Sequence, residues 1–222
     1  MKCTADKLLT LARAEIGVKE SPAGSDNVKY NTAFYNRIVS DGKHPWCCSF
    51  QWDLFRRAGA SDLFYGGGKT AYCPTLFAYH KKRGQAVSGD YRPGDVIFFN
   101  FSGKKSAAHV GLCESWDGKR ITTIDGNTGT GNEANGGAVM RRVRDKKYIV
   151  GAYRPAYEKE DDEVTQDQFD KMMEDYLARR AKEQGSSWSR MEEAKALGIS
   201  DGTRPRSFTT REEVATMILN AK

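Results

Sequence analysis

The stretch "HPWCCSFQW", His44 to Trp52, sets two adjacent thiols after a proline and a tryptophan, at a predicted helix start. A cysteine hydrolase needs a thiolate, a base to generate it, a group to orient the base, and donors for an oxyanion. The first turn of a helix suits the thiol, because its unpaired N–H groups and positive dipole end favour the anion. Cys47 is placed for this role, and the neighbouring Cys48 backbone amide is the candidate oxyanion donor. The base must come from three histidines. His109 opens a predicted strand in "AAHVGL"; His80, in "YHKKRG", reads as a solvated residue; His44 lies three residues before Cys47 and could perturb its thiol. A third polar group comes from "TIDGN", where Asp125 and Asn127 alternate about Gly126 and can face the same way along a strand. Each of these residues also has a bland reading: a lone cysteine as a small buried hydrophobe, a lone strand histidine as a structural one.

The elements that must position these side chains follow from periodicity. "TADKLLTLARAEIG" reads as a helix capped by Thr4, with Leu8, Leu11, Ala12 and Ile16 on one face and Gly17 as its stop. "KESPAGSDNVKYN" reads as a polar loop. A second helix starts at Cys47–Cys48, turns Phe50, Leu54 and Phe55 inward, and ends at Gly59. From Arg92 the period changes. "PGDVIFFNF", "HVGLCESW", "RITTIDGN", "GAVMRRVR" and "YIVGAYRP" are short β-branched and aromatic runs separated by turn residues. The layout is α+β, with helices packed on an antiparallel sheet of five strands. The Gly-rich "GNTGTGNEANGG" lacks the lysine of a phosphate loop and reads as a mobile loop beside a groove.

Residues 1–157 hold 24 Lys and Arg against 14 Asp and Glu, a net +10, whereas residues 158–222 hold 11 against 15, a net −4. The asymmetry predicts a basic domain over 1–157, an acidic linker over 158–164 and a helical unit over 165–222. In the last, Thr165 and Gln168 form a capping box, and Phe169, Met172, Met173, Tyr176 and Leu177 recur at helical spacing as a predicted core. The basic part would be drawn to a polyanion. No motif supports nucleic-acid binding, and no run is long and apolar enough for membrane insertion. The N-terminus lacks the form of a signal peptide, and five cysteines, an odd number, argue against a disulfide framework. Synthesis and retention in a reducing cytoplasm are expected.

The order of "PWCCSF", "RPGDVIFF", "AAHVGLCESW" and "TIDGNTG" resembles the CHAP (cysteine, histidine-dependent amidohydrolase/peptidase) domains of bacteriophage endolysins, over residues 1–157. The resemblance implies a papain-like fold and hydrolysis of a peptidoglycan amide bond, by amidase or endopeptidase action. It implies Cys47 as nucleophile, His109 as general base and acid, and Asp125 and Asn127 as the residues that orient the imidazole. The motif places the nucleophile directly after tryptophan, hence Cys47; the usual small apolar residue that follows is here Cys48. Trp46, Tyr30 and Asn27 are the candidate groove residues. Some relatives bind calcium through an acidic loop before the nucleophile, but "SDGKHPWC" has only Asp41, so no cofactor and no metal are expected. The tail, in "GISDGT" and "TREEVA", resembles a single S-layer-homology repeat, which implies attachment to wall polymers. Such a lysin would be made in the host cytoplasm and act on the wall after release. The competing readings are an NlpC-type wall-remodelling endopeptidase and a binding module without catalysis. A zinc site from His44, Cys47, Cys48 and Cys73 can be drawn for the latter, although the spacing is not that of paired ligands.

Overall fold

A computed structural model describes residues 3–158, 166–182, 188–199 and 211–220. The chain divides into two compact units, 1–159 and 160–222.

The first unit opens with α1 (Ala5–Ala14), capped by Thr4, whose Oγ1 accepts from Lys7 N at 3.2 Å. Leu8, Leu9 and Ala12 are buried, but the helix ends before Ile16, which is 38% exposed rather than part of the inner face. The segment expected to be all loop contains a seven-residue helix, α2 (Lys29–Tyr35), which buries Tyr30, Asn31 and Phe34. It begins at Val28 with no side-chain cap, so neither length nor capping advertised it. The next helix, α3 (Cys47–Arg57), starts at the paired cysteines and buries Phe50, Leu54 and Phe55 completely. A short α4 (Ser61–Tyr65) and α5 (Cys73–Lys82) follow.

Five strands then form one antiparallel sheet: β1 (Val96–Phe99), β2 (His109–Trp116), β3 (Arg120–Thr128), β4 (Ala138–Asp145) and β5 (Ile149–Tyr153), in the order β4-β3-β2-β1-β5. Alternation along β1 splits the core. Val96 and Phe98 pack with the helices, while Ile97 and Phe99 join Cys113, Ile121 and Ala152 on the other face. The fold is therefore α+β, with the helices on an antiparallel five-stranded sheet.

Two glycines allow the close approaches that seat α3 and the polar residues of β3. A Cβ at Gly126 would lie 2.5 Å from Phe50 Cβ, so α3 rests directly on the β3 backbone. A Cβ at Gly111 in β2 would lie 2.1 Å from Asp125 Oδ1, so only hydrogen there leaves space for that carboxylate.

The second unit contains α6 (Gln166–Lys182), α7 (Trp188–Ala196) and α8 (Arg211–Asn220). Thr165 of the expected capping box, and most of "GISDGT", lie outside the described residues. Phe169, Met172, Met173 and Tyr176 are exposed (51%, 61%, 39% and 43%), contrary to the expected core. Helical spacing identifies an apolar side; it does not supply anything to cover it.

Candidate active site

The backbone before α3 is held by a polar clamp. Asp26, at φ 59°, accepts from the His44 amide through Oδ2 at 2.8 Å. Asn31 Nδ2 donates to the carbonyls of Asp26 (2.9 Å) and His44 (2.8 Å), and its Oδ1 accepts from Ser49 Oγ at 2.7 Å. The entry to α3 is thus tied on both sides of Cys47. No side chain caps the helix, and its first backbone bond runs from Phe50 N to Trp46 O. The amides of Cys47, Cys48 and Ser49 therefore have no acceptor within the helix.

At the first position of β2, His109 is fully buried, with the rings of Phe99 and Phe101 6.4 and 6.0 Å away. Its Nε2 bonds Asp125 Oδ2 at 2.8 Å, and its Nδ1 has no hydrogen-bond partner. Behind Asp125 stands Arg144 of β4, whose guanidinium lies 2.7 Å from the same Oδ2. Arg144 also donates to Thr123 Oγ1 (3.2 Å) and pairs with Glu133 (2.9 Å), and it covers the faces of Phe99 and Phe101.

The charges follow from this arrangement. Burial alone would raise the Asp125 pKa, but the charge of Arg144 and the bond from His109 outweigh it and hold the carboxyl below its ordinary range. Burial alone would lower the His109 pKa, but bonding to Asp125 and the influence of Cys47 raise it to about 9. At Cys47 the neighbouring thiols of Cys48 and then Cys73 stabilise the anion; burial opposes them, His109 assists, and the result lies well below the usual thiol range. Cys48 and Cys73 move the other way, as the groups that donate to that anion. The two adjacent cysteines thus differ: only Cys47 is influenced by His109. The set can hold a thiolate–imidazolium pair, with unpaired amides alongside it.

The other sequence candidates fall elsewhere. Asn127 does not reach the imidazole. A register break between Asp125 and Thr128 and its left-handed φ of 57° turn it out of alternation; it donates to Asn135 Oδ1 (2.8 Å) and accepts from Gly137 N (3.2 Å). Tyr30 and Trp46 have no exposed surface and cannot line a groove. Tyr30 donates to Glu15 Oε2 at 2.6 Å, and Trp46 Nε1 to Glu20 Oε2 at 3.2 Å. Asn27 is half-buried and donates to the Ser21 carbonyl at 2.9 Å. His80 is buried, not solvated: its nitrogens bond Phe64 O (2.6 Å) and Gln85 Oε1 (2.8 Å), and its ring stacks on Tyr153. His44 turns to Asp41 Oδ1 at 2.7 Å and does not join Cys47, Cys48 and Cys73, whose sulfurs do cluster. All five cysteines are free thiols. Arg144 was missed by sequence reasoning: alternation in "VMRRVR" puts it with Arg142 and away from Val139 and Val143, so nothing local marks it as buried.

A helix start and two neighbouring strands thus bring a cysteine, a histidine and a carboxylate together. In keeping with it, residues 39–127 match the family model of the CHAP domain, a stretch that contains Cys47, His109 and Asp125. Similar solved structures are the crystal structure of Ly7917 with the hydrolyzing product of MDP (16% identity, TM-score 0.43, 68% of this chain and 63% of that one) and the crystal structure of Ly7917 (17% identity, TM-score 0.39, 69% and 62%). The chain spans less than two thirds of the length of either. No curated protein matches.

Proposed function

We propose that this protein is a cysteine-dependent peptidoglycan hydrolase, a lysin that cuts an amide bond of the bacterial wall. The observation that carries the reading is the buried line Arg144–Asp125–His109, with a stabilised Cys47 thiolate beside the imidazole. The CHAP match supports an amide bond of the wall as the target. In this reading Cys47 Sγ attacks the carbonyl carbon, and the Cys48 amide, free of a helical acceptor, receives the developing oxyanion. His109 gives the Nδ1 proton to the departing amine, leaving a thioester. It then takes a proton from water, whose oxygen displaces the thiol and frees the acid. Asp125 keeps the ring oriented through Nε2, and Arg144 keeps Asp125 ionised. Cys47 is only 4% exposed, so the substrate must widen the approach as it enters. The second unit is assigned to wall polymers, on the resemblance of its tail to an S-layer-homology repeat.

The test is mass spectrometry of fragments released from purified Gram-positive peptidoglycan by the intact protein, Cys47→Ala and Cys48→Ala. Fragments are expected from the intact protein and from Cys48→Ala but not from Cys47→Ala, and their masses identify the bond as amidase or endopeptidase. Cutting by Cys47→Ala would overturn the assignment.

A further inference from the structure

The sulfurs of Cys47, Cys48 and Cys73 all lie within 4.8 Å of one another, with Cys73 Sγ 3.8 Å from Cys47 Sγ and 3.3 Å from Cys48 Sγ. Catalysis as described uses one of the three. Adjacent cysteines cannot by themselves make a ligand pair of ordinary spacing; the third sulfur comes from the far end of a loop, at the first residue of α5. A tetrahedral zinc–thiolate centre has bonds of about 2.3 Å, which separates its sulfurs by about 3.8 Å. The cluster is already near that size. Its three members stand at the starts of two helices, α3 and α5, of eleven and ten residues. Among the described residues no histidine or carboxylate joins the three sulfurs, so a fourth position would fall to water or an external ligand. Sulfur ligands select soft and borderline ions over magnesium or calcium.

We propose that Cys47, Cys48 and Cys73 form a binding site for one thiophilic divalent cation of the zinc and cadmium class, and that its occupancy blocks the nucleophile. Binding exchanges thiol protons for the metal and releases them to solvent. The blocking effect rests on the hydrolase reading; the binding does not. His44 takes no part, since its ring is held by Asp41.

The experiment is a titration of the full-length reduced protein with cobalt(II), read by the sulfur-to-cobalt charge-transfer absorption, then with zinc as competitor. The expected result is one cobalt per chain, a band of the intensity given by three thiolates, and displacement of the band by zinc. Cys73→Ser and Cys48→Ser should each weaken cobalt binding at least tenfold, and His44→Ala should leave it unchanged. No band, a one-thiolate band, or a band lost in His44→Ala overturns the site, and the wild-type intensity decides even where a serine variant fails to fold. In parallel, stoichiometric zinc should suppress peptidoglycan hydrolysis, and a chelator should restore it. Hydrolysis without a cobalt band would sink the metal site and leave the hydrolase reading intact. A three-thiolate band on a protein that never cuts peptidoglycan would do the reverse.

Discussion

At the scale of single residues, the charges of the candidate site depend on one another. Arg144 lowers the Asp125 pKa, Asp125 raises that of His109, and His109 assists the Cys47 anion. Activity should therefore be sustained through neutral pH and fall as pH rises through about 9, where His109 loses the proton it must donate; a kcat/KM profile checks this. Because the folded-state pKa is raised from 6.5, the same proton adds stability that is complete below about 6.5 and lost as pH climbs through about 9. Arg144→Met would leave Asp125 buried with His109 as its remaining partner. Removing one member of a buried ion pair costs about 3 kcal/mol or more. Denaturant unfolding should show that loss, and the acid limb of the pH profile should move to higher pH as the Asp125 carboxyl becomes easier to protonate.

At the scale of elements, two helix starts and one pair of strands bring the candidate residues together, and glycines set their spacing. Gly126→Ala would drive a methyl into Phe50 and push α3 off β3. Overpacking of this kind costs about 1–3 kcal/mol. Here it should also displace Cys47 from His109, so kcat should fall more than the melting temperature predicts. The helix over Cys47–Arg57 and all five strands were legible because their patterns are strong: buried Phe50, Leu54 and Phe55 at helical spacing, and β-branched runs bounded by turns. The helix α2 was not, since seven residues without a cap carry little local signal. The sequence of the strand containing Asp125 predicts regular alternation, and the break that turns Asn127 toward Asn135 has no local signal; a register shift arises from pairing with β4, not from the strand's own residues.

At the scale of the whole molecule, the chain pairs a basic first part, net +10 over 1–157, with an acidic remainder, net −4 over 158–222. If the basic part holds the protein on an anionic wall, raising NaCl from about 0.05 to 0.5 M should weaken sedimentation with purified wall several-fold, since exposed charges are screened over a few ångströms at the higher salt. Salt-independent sedimentation would instead assign retention to uncharged contacts. Among the described residues no helix is long and apolar enough to cross a membrane.

The sequence by itself determined which chemistries were available: a thiol at a helix start, a histidine at a strand start, a carboxylate on the next strand, and the order that resembles a CHAP domain. Those features are local, written in caps, periodicity and neighbours along the chain. Only the tertiary structure decided which of them meet. It joined His109 to Asp125 and left out Asn127, buried Trp46 and Tyr30 in the core, set Arg144 behind the carboxylate, and brought Cys73 against Cys47 and Cys48 from 26 and 25 residues away. Burial, register and pKa depend on groups distant in sequence, and these become neighbours only when helices and sheet pack.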